Sequence, residues 1–157
     1  MEFIRIDETN RAEVNELIKQ RWYSTDMVLR GTVVDMKKVA GIIAYDDKEI
    51  VGLITYRFYD DVCEILSLDS FKENQGIGSK LIDEVKKIAI EKRAKRIVVI
   101  TTNDNINAIK FYQRKGFDMC NLYHNAVDVS RKLKPEIPLI GDNGIPIKHE
   151  IEFQLIL

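Results

Sequence analysis

Apolar positions along this chain follow two periods, and the switches between them mark its elements. Phe3-Ile4-Arg5-Ile6 alternates and reads as a first strand. Asn10 and Glu13 stand at capping-box spacing, and Val14, Leu17 and Ile18 then share one face of a helix predicted to run to about Trp22. From Tyr23 to Val39 polar, apolar and basic residues mix around Gly31 without a period, which predicts a loop or short helices. Gly41–Tyr45, Ile50–Phe58 and Val62–Leu68 are apolar runs separated by Asp46-Asp47-Lys48-Glu49 and Tyr59-Asp60-Asp61, the pattern of an antiparallel three-stranded meander.

After Gly76-Ile77-Gly78 the period becomes helical. Ile77, Leu81, Ile82, Val85, Ile88 and Ala89 fall on one face and lysines opposite, as far as about Arg93. Arg96–Thr102 is a β-branched strand, Ile106–Lys115 a helix stopped by Gly116, and Phe117 onward a strand again. Lys134–Lys148 carries all three prolines and reads as a long loop. In Glu150–Leu157, Ile151, Phe153, Leu155 and Leu157 alternate with Glu152, Gln154 and Ile156, a terminal strand whose open edge could pair across a two-fold axis into a homodimer. The order predicts a mixed α/β fold in one domain, residues 1–157, around a mostly antiparallel sheet with helices on both faces.

Composition narrows the classes. Lys and Arg number 24 against 25 Asp and Glu, so the net charge of −1 gives no electrostatic reason to expect nucleic acid or an anionic membrane as partner. The apolar runs fall far short of the ~20 residues of a membrane span. Met1-Glu2-Phe3-Ile4-Arg5-Ile6-Asp7 lacks the layout of a secretory signal, which makes a cytoplasmic location the expectation. Cys63, Cys120, His124 and His149 form no familiar metal-ligand spacing, so no metal is expected.

The chemistry concentrates at Leu66–Leu81, where a strand ends, a turn follows and a helix begins on glycines. Helix N-termini expose unpaired amides and a partial positive charge, and glycine lets an anion approach them. Gly76 and Gly78 lack the third glycine of a dinucleotide fingerprint and the Gly-Lys-Ser/Thr of a P-loop, and the meander before them is antiparallel. Farther on, Asn105, Ala108, Tyr112, Gly116 and Phe117 reproduce the spacing Asn-x-x-Ala-x-x-x-Tyr-x-x-x-Gly-Phe. Together these motifs resemble the GNAT N-acetyltransferase superfamily, whose cofactor motif is Gln/Arg-x-x-Gly-x-Gly/Ala. Glu73 stands where that motif has Gln or Arg, and it is expected to point to solvent, with Lys72 or Lys80 nearer the phosphates. Lys134-Pro135-Glu136-Ile137-Pro138 and Gly144-Ile145-Pro146-Ile147 look similar to the tail of an uncharacterised bacterial group within the superfamily.

The resemblance implies acetyl-CoA as co-substrate and an amine as acceptor. By that resemblance the backbone of Leu66, Ser67 and Leu68 would hold the pantetheine arm, with the Leu66 amide facing the thioester oxygen. Amides of Asn74, Gln75, Gly76, Ile77, Gly78 and Ser79 would hold the pyrophosphate, and the Asn105 side chain would reach the cofactor arm. Tyr112 would protonate the departing thiolate. Two positions that often hold glutamate in the superfamily correspond to Val62 and Ile100, so Glu64 is the first candidate for the base, with Tyr56, Asp69, His124 and Glu150 as alternatives. The acceptor pocket would draw on Trp22–Lys38 and the Pro/Gly loop, closing as a lid, with Arg30 and Arg57 as cations for a carboxylate-bearing acceptor. Two other readings stay open: an acyl-CoA-binding sensor without turnover, and a nucleotide phosphate binder.

Overall fold

The computed structural model describes residues 1–22 and 24–157, Trp22 by its backbone alone; Tyr23, in the segment read as loop or short helices, lies outside the described residues. In chain order the elements are β1 (Glu2–Arg5), α1 (Arg11–Trp22), β2 (Asp26–Leu29), β3 (Thr32–Asp35), β4 (Ala40–Asp46), β5 (Glu49–Tyr59), β6 (Val62–Ser70), α2 (Ile77–Glu91), β7 (Arg96–Thr102), α3 (Ile106–Arg114), β8 (Asp118–Tyr123), α4 (Ala126–Leu133) and β9 (Glu150–Ile156). They form two compact units, one of residues 1–25, 35–97 and 157, the other of 26–34 and 98–156, so β7 contributes to both. This is the mixed, mostly antiparallel α/β architecture expected.

In the first unit the strands lie in the order β1-β4-β5-β6, each pair antiparallel. Asp47 and Asp60 take positive φ (55° and 49°) in the two turns of the meander, a conformation that short polar side chains tolerate. The six apolar positions of α2 singled out by period are all buried. Gly52 on β5 lets that helix come close, since a Cβ there would stand 2.6 Å from Ile77 Cγ2. The capping box at the start of α1 does not form. Asn10 Oδ1 accepts instead from the Asp7 N–H (2.9 Å) and Asn10 Nδ2 donates to Arg5 C=O (3.1 Å), tying the helix entry back to β1.

In the second unit the strand order is β7-β9-β8. Two of its elements depart from the sequence reading. The segment after Tyr23 is no loop but a hairpin of β2 and β3, closed by Arg30 and Gly31 with φ of 49° and 74°, the left-handed pair that a two-residue hairpin turn requires. Its strands are too short to show a period. Helix α4 follows β8, entered through Asn125 at φ 56°; with eight residues and two turns its periodicity is lost in the neighbouring strand pattern. The terminal strand is also different from expectation: β9 pairs along its length with β8, so its edge is covered and the edge argument for a dimer falls. The Pro/Gly loop is pinned. Arg131 Nη2 donates to Pro138 C=O and Ile147 C=O at 2.6 Å each, and Asn103 Oδ1 accepts from the Lys148 and His149 N–H groups.

Candidate active site

The first unit carries the strand and turn in which most site residues were expected. On β6, Ser67 stands opposite Thr55 and Ile65 opposite Tyr56, so Leu66 between them is an extra residue with nothing across from it on β5. Such a bulge frees a peptide group from the ladder and bends the strand. Ser67 Oγ is joined to Thr55 Oγ1 at 2.6 Å inside the unit, which leaves its main chain as the part able to meet a ligand. Downstream, Gly76 is the N-cap of α2 at φ 68° and ψ 16°, and no side chain caps the helix. Nothing stands within 4 Å of where a Gly76 Cβ would be. The first turn of α2 contains no acidic residue to offset its dipole. Glu73 is exposed, as anticipated, whereas Lys72 is engaged by Asp46 (3.1 Å) and Glu49 (3.3 Å), which raise its pKa. Lys80 is the exposed cation of the turn.

Glu64 is completely buried rather than an exposed strand glutamate. Arg57, directly across on β5, brings both Nε and Nη2 to its Oε1 at 2.7 Å. Beside it, burial and then the Glu64 charge push the Cys63 thiol up to about 12, so it is no nucleophile.

The second unit holds the remaining two expected residues. Asn105 caps α3, its Oδ1 accepting from the Ala108 N–H at 3.1 Å, so a ligand would meet its Nδ2. Tyr112 is buried on α3 with its ring against Phe111, Phe117 and Phe153, centroids 5.4–5.8 Å away.

The same unit contains a polar cluster that sequence reasoning did not assemble. Glu150 and Glu152, two apart on β9, are each 4% exposed. Arg30, at the tip of the β2–β3 hairpin, reaches Glu152 Oε1 with Nη1 at 3.1 Å. Tyr123 Oη donates to that oxygen (3.2 Å), while Asn121 Nδ2 (2.8 Å) and Cys120 Sγ (3.3 Å) donate to Oε2. Burial pushes the Glu152 pKa up, but these donors and the guanidinium outweigh it and hold the group below its ordinary value. Glu150 receives far less: burial raises its pKa, opposed by the Arg30 N–H at 3.3 Å and the Arg30 charge. Among the described residues no group of His, Cys, Asp and Glu is arranged to hold a metal ion, and no helix is long and apolar enough to cross a membrane.

The sequence profile of the Acetyltransferase (GNAT) family matches residues 6–117, from the end of β1 through the Gly-Phe after α3. The chain belongs to that family. Among curated proteins it is 45% identical over 139 residues to the uncharacterized protein YxbD of Bacillus subtilis, covering 88% of this chain and 87% of that one. YdhI of the same organism, also uncharacterized, is 39% identical over 145 residues, 92% of this chain and 91% of its own. Among solved structures, a GNAT family acetyltransferase from Elizabethkingia anophelis with acetyl-CoA bound superposes at a TM-score of 0.65, with 25% identity over 90% of this chain and 82% of that one. A Bacillus subtilis acetyltransferase in complex with CoA gives 0.69 at 18% identity, over 99% and 97%, a likeness of fold.

For this GNAT chain, then, the structure distributes the expected residues between the units: Glu64, Leu66, Ser67, Leu68 and Asn74–Ser79 in the first, Asn105 and Tyr112 in the second. The cations proposed for an acidic acceptor are both engaged by carboxylates, Arg57 by Glu64 and Arg30 by Glu152. Sequence reading named Glu150 only as an alternative base and Arg30 only as a cation for an acceptor, because nothing local links residues 122 positions apart. One signal was present: Glu150 and Glu152 share the parity of the opposite face, where two charges in a terminal strand need a partner.

Proposed function

We propose that this chain, acting as a single acetyltransferase domain, moves the acetyl group of acetyl-CoA to a primary amine of a small molecule or peptide by direct attack in a ternary complex. The observation that carries this reading is the bulge at Leu66, a main-chain group without a partner on β5, on the strand that leads into the uncapped N-terminus of α2. The Leu66, Ser67 and Leu68 backbone would take the pantetheine amides, and the amides from Asn74 to Ser79 the pyrophosphate. Asn105 Nδ2 would reach the cofactor arm. The Leu66 N–H would stabilise negative charge developing on the thioester oxygen. Tyr112 is the proposed acid for the CoA thiolate.

An amine attacks only in its neutral form, so a proton acceptor is required. Glu64 is the proposed base, acting through water because its carboxylate is wholly buried against Arg57. That same burial favours a second reading, an acyl-CoA-binding sensor without turnover, as do the apolar Val62 and Ile100. CoA release measured over an amine panel separates the two. Turnover that falls about a hundredfold in Tyr112→Phe supports the transferase. Tight CoA binding with no release on any amine, unchanged in Tyr112→Phe, supports the sensor.

A further inference from the structure

A pocket of about 440 Å³ lies beside α1, apart from the residues assigned to acetyl-CoA. Asn15, Glu16 and Lys19 of the helix line it, together with Thr25 and Lys37 from the two ends of the β2–β3 segment. Backbone holds those ends together: the Met36 N–H donates to Thr25 C=O at 2.8 Å, and the Lys37 N–H donates to Asp35 Oδ1 at 3.0 Å. All of these residues belong to the first unit.

Two observations define what this pocket can hold. The first is charge. Lys19 and Lys37 bring two ammonium groups and Glu16 one carboxylate, whose Oε1 already accepts from Gln20 Nε2 at 3.2 Å. Arg30 and Arg57 are engaged by carboxylates, but among the described residues neither lysine has an ion pair. Two positive charges against one negative leave a surplus that a monoanion would balance. The second is Asn15 Oδ1, which is buried and has no hydrogen-bond partner among the described residues. A buried acceptor without a donor is costly. The last torsion of an asparagine is broad, and turning the amide breaks no bond of that oxygen while bringing it to the pocket its own residue lines. The donor that meets it there must be neutral, because an ammonium group would be repelled by the two lysines.

We propose that this pocket binds a small monocarboxylate that carries a neutral hydrogen-bond donor. Its carboxylate faces Lys19 and Lys37, and its donor completes Asn15 Oδ1. The assignment does not depend on acetyl transfer.

Calorimetry on the full chain at low ionic strength, where exposed charges are least screened, tests it with three six-carbon probes. Gluconate has both the carboxylate and neutral hydroxyls, hexanoate the carboxylate alone, and glucose the hydroxyls alone. Gluconate is expected to bind about fivefold more tightly than either of the others, the share of one hydrogen bond or ion pair. Lys19→Met and Lys37→Met, which keep the apolar stem, should each weaken gluconate about threefold. Asn15→Leu should weaken it about fivefold with no fall in Tm, because the substitution removes an unsatisfied buried acceptor. No binding of gluconate, equal affinity for the three probes, or a gluconate affinity unchanged in both lysine variants overturns the site. The probe comparison is made on the unsubstituted chain, so it decides even where a variant fails to fold. Either result leaves CoA binding and CoA release to be judged by their own measurements.

Discussion

Three buried or half-buried carboxylates illustrate how a residue's surroundings decide its task. Glu64 has a two-pronged contact with Arg57, whose side chain is 37% exposed. Truncating Arg57 to alanine leaves Glu64 buried beside a lost counter-charge; with allowance for the solvent around Arg57, the expected loss is about 2–4 kcal/mol in urea unfolding. On β9 the two glutamates pull in opposite directions with pH. Glu152 is held below its ordinary 4.5, so it contributes stability above that value, lost as pH falls through its folded pKa. Glu152→Gln should therefore flatten the acid limb of a stability-versus-pH curve. Glu150 is raised above 4.5, so its ionisation weakens the fold as pH rises through its folded pKa. Glu150→Gln is expected to be more stable than wild type at neutral pH, with the gap closing below 4.5. A Glu150→Gln protein less stable at neutral pH would show that the charge is already compensated.

At the level of elements, the N-termini of α2 and α3 behave differently although each follows a strand. Helix α3 is capped by the side chain of Asn105, and Asn105→Ala should cost about 1 kcal/mol in unfolding as well as weaken CoA binding. Helix α2 begins on Gly76 with no side-chain cap. In Gly76→Ala the new methyl meets nothing, so the stability cost comes from the left-handed backbone alone, about 1–2 kcal/mol. On the proposed reading a methyl at this N-cap crowds the bound pyrophosphate, so CoA affinity, measured by calorimetry, should fall by more than stability accounts for. The hairpin of β2 and β3 depends on a similar turn. Arg30 with φ 49° precedes Gly31 with φ 74°, and Val129 Cγ1 on α4 would stand 3.1 Å from a Cβ on Gly31.

For the whole molecule, a cofactor that binds only the folded chain must stabilise it. CoA at a hundredfold excess over its Kd should add about 2.7 kcal/mol, or roughly 5–10 °C in Tm for a chain of this size. ATP at the same concentration should add far less, because the pantetheine contacts are missing. Equal shifts from the two ligands would point to phosphate binding alone.

Much of this was legible in the sequence, where the physics is local. The α2 stripe, the meander, the turn at Gly76 and the Asn105–Phe117 spacing are set by period, propensity and backbone freedom within a few residues of one another. The hairpin at Arg30 and helix α4 were not, because their segments are too short to show a period, and neither was the burial of β9, which depends on partners distant in the chain. Arg30 meets Glu152 across 122 positions, and β9 turns its charged face inward because Arg30 and β8 supply the donors that make burial tolerable. The linear order of residues thus determined the strand, turn and helix over residues 62–91 and the spacing of Asn105, Tyr112 and Gly116, through short-range geometry. Only tertiary packing decided that Glu152 meets Arg30 and three further donors, since charge balance in a low-dielectric interior is a property of neighbours in space.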